Sequence, residues 1–332
     1  MFLQELNGHE NIVRLMSVLK AESHLDLYVV FDFMDTDLQH AISGEMLQPI
    51  HVEYVTYQVL KALKYVHSAG VLHRDLKPAN VLLNANCHVR ICDFGLARTN
   101  SHEPGGARHG HGPGAGPGLF TDYVATRWYR APELLLGATL YGEGVDMWSL
   151  GCILGEMLSR KPILKGRSTM DQLEKIIELT GRPSEQDLRP ITSSSSFARA
   201  MLESLGKVKQ VPSSGVLFLL RAPRDAKALA LRLLLFNPEQ RLSAEQALQH
   251  RFVEKFHLQE AEPTCDKLIR MPIADSTKLK ATDYRNQIYS FIDQRQRAAQ
   301  EEPELPPGSS ERERLPCWGH EGGASAPPTT PC

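Results

Sequence analysis

Three short clusters hold the side chains whose types and spacing could do chemistry. His73-Arg74-Asp75-Leu76-Lys77-Pro78-Ala79-Asn80 carries a carboxylate, then a lysine, then an amide. Asp93-Phe94-Gly95 adds a second carboxylate beside a glycine, and Ala131-Pro132-Glu133 adds a third. Hard oxygen ligands such as Asn80 and Asp93 suit Mg²⁺, which keeps several of its waters when it binds. Asp75 is placed to orient a substrate hydroxyl and accept its proton, and Lys77 to stabilise the oxygens of a transferring phosphate. Together these types allow phosphoryl transfer. The alternative, that Asp75 and Asp93 are turn residues bonded to their own backbone, is outweighed by the motif around them.

The elements that must position these groups follow from apolar periodicity. Asn11 to Leu19 and Leu25 to Phe33 are rich in β-branched and aromatic residues and predict strands. From His51 to His67, apolar residues recur at Val52, Val55, Val59, Leu60, Leu63 and Val66, a helical stripe ended by Gly70. Asp146 to Ser159 is apolar almost all round, as a buried helix is. Further helices are predicted over Ser168 to Leu179, closed by Gly181, and over Asp225 to Phe236, stopped by Asn237-Pro238. Ser243 with Gln246 spells a capping box ahead of a short last helix. Two stretches fall outside this pattern. Glu103 to Gly118 is mostly Gly, Pro and His and predicts a mobile loop. The tail from Glu301 to Cys332 is Pro-rich and predicts disorder.

Composition removes several function classes. The 332 residues are 42% apolar and 23% charged, ordinary globular usage, enough for one large or two modest domains. With 37 basic and 39 acidic side chains the net charge is −2, so no clustered cationic excess signals a nucleic-acid partner. Cys87, Cys92, Cys152, Cys265, Cys317 and Cys332 form no C-x-x-C pair, which argues against a zinc ribbon or disulfide framework and for a reducing compartment. The most apolar window, Val216 to Phe236, is interrupted by five charges, so no membrane span is expected, and the first ten residues do not read as a signal peptide.

The three clusters, in this order, match the H-R-D-L-x-x-x-N, D-F-G and A-P-E elements of protein kinases. Between the last two stands Thr121-Asp122-Tyr123, followed by V-A-T-R-W-Y-R-A-P-E at Val124 to Glu133. With M-D-T-D-L at Met34 to Leu38, V-D-M-W-S-L-G-C-I-L-G-E-M-L at Val145 to Leu158 and the run Leu248 to His250, the chain resembles the mitogen-activated protein kinases of the CMGC group over residues 1 to about 257, and their atypical branch in particular.

The resemblance implies an α+β, protein kinase-like fold: a mainly helical C-terminal lobe below a truncated small β lobe. Residues 1–32 would be the small-lobe remnant and 33–257 the large lobe, with an activation loop at 93–133. Residues 258–300 would be an extension packed on that lobe, and 301–332 a disordered tail. It implies a Ser/Thr protein kinase using ATP and Mg²⁺, with Asp75, Lys77 and Asn80 catalytic and Asn80 with Asp93 on the metal. Asp32 and Met34 would meet the adenine edge behind Phe31, Leu82 would form the floor, Asp37 would touch the ribose, and Cys92 would border the site. Glu133 is expected to pair with Arg241. Thr121 and Tyr123 would be phosphorylated, by an upstream kinase or by the chain itself. Arg74 and Arg98 would receive the first phosphate, Arg127 and Arg130 the second. Substrates would carry Ser/Thr-Pro sites, and the P-x-x-P runs at Pro303 and Pro328 could engage SH3-type domains. Glu260, Glu262 and Asp266 are the candidates for an acidic docking patch. Localisation in cytoplasm and nucleus is implied too.

One departure is large. Aligning Met1-Phe2-Leu3-Gln4 to the family's pattern leaves the Gly-rich loop, its lysine and the partner glutamate upstream of Met1. The expectation is an N-terminally truncated kinase whose triphosphate site is open to water; the alternative is a catalytically silent chain that acts as a binding module. The loop from Thr99 to Phe120 is His- and Gly-rich, and its His102, His109 and His111 read as a solvated segment rather than a metal site.

Overall fold

The structure, a computed structural model, describes residues 2–21, 26–99, 126–206, 219, 221–270 and 280–301. Thr121 and Tyr123, the whole loop from Glu103 to Gly118 and the tail beyond Glu301 lie outside them. A single turn, α1 (Phe2–Glu5), precedes the strands β1 (Leu15–Lys20) and β2 (Leu27–Phe31), which pair antiparallel with each other. β1 starts later than the sequence pattern suggests because Asn11 and its neighbours are tied to the helical lobe instead. The Asn11 side chain donates to Gln58 Oε1 and to the Val89 carbonyl, and Val13 N–H donates to the Ile91 carbonyl.

β3 (Thr36–Asp37) leads into α2 (Leu38–Ser43), and α3 (Pro49–Ser68) follows with proline in its first turn, where no N–H is needed. The predicted stripe is the buried face of α3. Val55, Val59, Leu60 and Leu63 are fully enclosed, each contributing about 1.5–3 kcal/mol by its burial. The helix ends at Gly70, whose φ of 69° is free for glycine and strained for other residues.

Short strands then frame the motifs. β4 (Val71–Leu72) precedes the first cluster, β5 (Val81–Leu83) and β6 (Val89–Ile91) form a hairpin, and β7 (Arg98–Thr99) returns to pair with β4. β3 adds to the hairpin in the order β3-β5-β6. The rest is helical: α4 (Pro132–Leu135), α5 (Gly144–Ser159), α6 (Thr169–Thr180), α7 (Glu185–Thr192), α8 (Ala198–Ser204), α9 (Arg224–Leu233) and α10 (Ala244–Leu248). Ser168 and Ser243 cap α6 and α10 as the sequence predicts. α9 stops at Leu233, three residues before the predicted Phe236, as Leu234 leaves helical geometry at ψ 47°. α5 is the buried centre. Its small residues admit neighbours closely: a Cβ on Gly151 would stand 2.8 Å from Leu234, and one on Gly155 2.6 Å from Ile163.

The chain divides into two compact units, residues 1–280 and 281–332, so the extension read as 258–300 falls across both. In the first unit, Cys265 N–H donates to Ser68 Oγ and Ile269 N–H to the Ala69 carbonyl, pinning this stretch to the end of α3. The described part of the second unit is one helix, α11 (Ala281–Glu301). No described helix is long and apolar enough to cross a membrane.

Candidate active site

The loop after β4 gathers the first cluster. Lys77 Nζ donates to Asp75 Oδ2 at 2.7 Å, and Asn80 Nδ2 donates to the Asp75 carbonyl at 2.8 Å and to Oδ2 at 3.2 Å. A 3₁₀ turn, Pro78–Asn80, sets this spacing, with proline at its start where no N–H is required. Asp75 is buried, and its other oxygen, Oδ1, has no hydrogen-bond partner. A buried carboxylate oxygen without a donor is costly unless something else supplies one. With the Asn80 amide nitrogen spent on Asp75, Oδ1 of Asn80 is its remaining polar atom, an acceptor.

Asp146, on α5, holds the loop from below. Its Oδ2 accepts from the His73 N–H (2.9 Å) and pairs with His67 Nε2 (2.9 Å), and its Oδ1 accepts from the Arg74 N–H (2.7 Å). Full burial would push this carboxyl up, but the bonds from His67 and the loop outweigh it and hold it below the usual carboxylate range. The convergence also explains Arg74, a non-glycine residue at φ 68°. In the sequence Asp146 stands out only as the start of a buried helix and as part of the V-D-M-W run. A carboxylate in the first turn of a mostly apolar helix was the available signal.

The second cluster adjoins the first through backbone. Cys92 N–H donates to the Asn80 carbonyl at 3.0 Å, while the Cys92 carbonyl pairs with His73 Nε2 at 2.9 Å. Asp93 comes next, at φ 62°, exposed, with Oδ1 accepting from the Gly95 N–H. Gly95 leaves room for that carboxylate: a Cβ there would press on Asp93 Oδ1 at 3.1 Å. Phe94 turns inward against His73, ring centres 4.7 Å apart. Burial, with Asp93 beside it, pushes the Cys92 thiol up to about 11, so it stays protonated and unreactive.

The remaining candidates divide. Leu82 is half-buried on β5, opposite Asp37. Asp37 caps α2: Oδ1 accepts from the His40 N–H and Oδ2 pairs with His40 Nδ1 at 2.7 Å. Asp32 spends its N–H on the Arg14 carbonyl, which leaves its own carbonyl for an adenine edge, and its carboxylate sits between Arg14 and Arg90. Met34 follows in the irregular stretch before β3. Arg98 sits across from Leu72 in the β4–β7 pair, and the Arg74 guanidinium stacks on Tyr141. Arg127 is buried and donates to the Arg167 carbonyl, whereas Arg130 is half-buried beyond it.

Glu133 and Arg241 form the expected pair, bidentate at 2.6 and 2.8 Å and fully buried. Arg241 also donates to the carbonyls of Leu235, Phe236 and Gly144, using all five of its N–H groups. Among the docking candidates Glu262 is not available. It is buried, pairs with His257 at 2.8 Å and lies 3.7 Å from Lys64, so only Glu260 and Asp266 of that set face solvent.

Among the described residues no three or more His, Cys, Asp or Glu side chains converge as a metal cage. Asn80 Oδ1 and the Asp93 carboxylate are hard oxygens on adjoining backbone. That set fits Mg²⁺, which takes one or two protein oxygens and completes its shell with phosphate and water.

A buried carboxylate under a lysine and an asparagine, next to a second carboxylate in a D-F-G turn, defines the phosphotransfer centre of a protein kinase fold. The profile described as "Protein kinase domain" matches residues 1–253. Extracellular signal-regulated kinase 2 of Dictyostelium discoideum is 50% identical over 298 residues, which is 88% of this chain and 76% of that protein. Mitogen-activated protein kinase 15 of Rattus norvegicus is 47% identical over 90% of this chain and 52% of its own length. That of Xenopus laevis is 43% identical over 88% and 48%. The chain thus spans about half the length of these last two relatives. It belongs to the mitogen-activated protein kinases, a Ser/Thr protein kinase family of the CMGC group.

Proposed function

We propose that this chain transfers the γ-phosphoryl group of ATP to Ser or Thr hydroxyls of protein substrates, with Asp75 as the proton acceptor. The observation that carries this is the buried, unpartnered Oδ1 of Asp75, held in place through Oδ2 by Lys77 and Asn80. A substrate hydroxyl would supply the missing donor. As its oxygen bonds to the γ-phosphorus, the bond to the β–γ bridging oxygen breaks, ADP departs, and the hydroxyl proton moves to Asp75. Lys77, already at the carboxylate, would meet the oxygens of the transferring group. Mg²⁺ supplies charge neutralisation of the triphosphate, and Asn80 and Asp93 are the residues to hold it. Leu82 would bear the adenine and Asp37 the ribose, with backbone groups of Asp32 and Met34 at the base edge.

Control by phosphorylation of Thr121 and Tyr123 belongs to the same reading, with Arg74 and Arg98 serving one phosphate and Arg127 and Arg130 the other. Ser/Thr-Pro substrates, an upstream kinase or self-modification, and SH3-type partners of the P-x-x-P runs are its extensions. One observation favours a second reading, a binding module without turnover: apolar residues of β1–β2 and of the stretch just after it stand in solvent, Tyr28 at 59% and Phe33 at 86% exposure.

The two readings separate in a thermal-shift titration of the full chain with ADP and Mg²⁺. Saturation to about a hundredfold over Kd would add ~2.7 kcal/mol of stability. The kinase reading expects that shift in the wild type and its loss in Asp93→Asn; an unmoved wild type favours the module. Thr121→Ala with Tyr123→Phe should then remove most turnover from a phosphorylated preparation, and unchanged turnover would discard the switch.

A further inference from the structure

The loop from Lys161 to Ser168, between α5 and α6, holds three cations and no acid. Its backbone is pinned to a neighbouring turn, Thr126–Tyr129. Gly166 is buried; its N–H donates to Gln172 Oε1 at 2.9 Å, and its carbonyl accepts from Trp128 Nε1 at 3.0 Å. The Arg167 N–H donates to Asp171 Oδ2 at 2.7 Å, and the Arg167 carbonyl accepts from the Arg127 guanidinium at 3.4 Å. A Cβ on Gly166 would stand 2.7 Å from Gln172 Cα, so glycine is what allows this close approach.

The turn is in turn tied to the phosphotransfer centre through α5. Ser149 Oγ donates to the Tyr129 carbonyl at 2.8 Å, and one helical turn earlier Asp146 receives the N–H groups of His73 and Arg74. The cationic loop is thus joined by short, buried links to the residues around Asp75.

Two charged side chains project from this clamp, which is built on the backbone of Gly166 and Arg167 and spends neither charge. Lys165 is exposed, with Nζ 4.8 Å from the centre of the half-buried Trp128 ring, a contact that orients the ammonium without neutralising it. The Arg167 side chain is 93% exposed. Its Nε lies 3.7 Å from Asp171, beyond hydrogen-bond reach, and that carboxylate already bonds the Arg167 N–H and meets Lys175 at 3.2 Å.

We propose that Lys165 and Arg167 select protein substrates that carry an acidic side chain, carboxylate or phosphate, within a few residues of the acceptor Ser or Thr. The proposal rests on the kinase reading above, which places that acceptor at Asp75, and adds a preference to it. A guanidinium fork grips either anion through two parallel hydrogen bonds, and a lysine beside it adds a point charge. Exposed pairs of this kind contribute little affinity each, so their effect is a choice among substrates that the cleft already accepts.

Equilibrium binding of labelled Ser-Pro peptides to the full chain, read by fluorescence anisotropy at low salt, tests this without any transfer. Glu is moved through the positions from five before to five after the acceptor, and phosphoserine is then placed at the best one. One position should bind roughly two- to fivefold tighter than alanine there, and the gain should fade in high salt. A larger gain with phosphoserine would name substrates phosphorylated beforehand as the source of the anion; a gain confined to Glu would name encoded acids. Lys165→Met, which keeps an apolar contact with Trp128, and Arg167→Gln should each shrink the gain, and Lys165→Glu should move the preference to a lysine at the same position. Arg251→Glu, an equal change of net charge at an exposed residue after α10, should leave it intact. No gain at any position overturns the proposal, as does a gain that survives Lys165→Glu and Arg167→Gln or one that Arg251→Glu abolishes equally. A chain that shows the positional gain yet never transfers phosphate leaves this selectivity standing and overturns the kinase reading instead.

Discussion

The loop His73–Asn80 and the ribbon β1–β2 stand beside the same cleft and are held in opposite ways. Every backbone turn of the loop has a buried partner: Asp146 takes the N–H groups of His73 and Arg74, and the Cys92 backbone ties both His73 and Asn80. The ribbon is held by its own cross-strand ladder and by Leu15, with most of its apolar surface in water. Positions that must keep a proton acceptor within a few tenths of an ångström are over-determined. Positions that meet only a flat base edge are left open. Residues argued to touch the transferring phosphate therefore sit on the rigid side of the cleft, and the solvent-exposed ribbon sits on the soft side.

The contrast breaks most sharply at the Glu133–Arg241 pair. Arg241→Met leaves a carboxylate buried without its cation and should cost about 3–5 kcal/mol in chemical denaturation. A loss under ~1 kcal/mol would mean the helical lobe is not held as described.

The seam between the two regions is next. His9 is buried against Tyr65 of α3, and burial, with Lys61 adding to it, pushes its pKa down to about 4. The unfolded chain takes up this proton near pH 6.5, while the folded chain refuses it until about pH 4. Stability is therefore complete above pH 6.5 and falls as pH drops through that window, by about 3 kcal/mol in all. His9→Gln should flatten this part of the stability profile; an identical slope would exclude His9 as its source. The depressed Asp146 carboxyl acts lower, contributing stability above the ordinary carboxylate range that is lost as pH falls through its folded value.

Asp146→Asn follows. Hydrogen bonds to a charged group contribute about 1.5–3 kcal/mol, so its global cost should lie in that range, with the His73 and Arg74 amides exchanging faster than those of α3. Uniform acceleration across both would contradict a local anchoring role. On the soft side, Tyr28→Ser should change stability by less than ~0.5 kcal/mol, which a denaturation midpoint resolves.

Much of the rigid side was legible in the sequence. The stripe from Val52 to Val66 is the buried face of α3, the cap at Ser243 forms with Gln246, and Glu133 finds Arg241 across 108 residues. Asp75, Lys77 and Asn80 are local in the chain, and a short turn sufficed to join them. What escaped was long-range. Asp146 is defined by what converges on it from 72 to 79 residues away. Glu262 reads as a surface acid, yet it is enclosed by His257 and Lys64. β1 loses its predicted first turn because Asn11 bonds to Gln58 and Val89, partners that no period along β1 could announce.

The central claim is that Asp75, through its unpartnered Oδ1, takes the proton of a hydroxyl while phosphate is transferred. The most direct measurement is single-turnover transfer of the γ-phosphate of ATP to a Ser-Pro peptide, with Mg²⁺ present, comparing the wild type with Asp75→Asn. The account predicts transfer by the wild type and a rate roughly 10²–10⁴-fold lower in the variant, with nucleotide binding retained. Equal rates in the two proteins would contradict it.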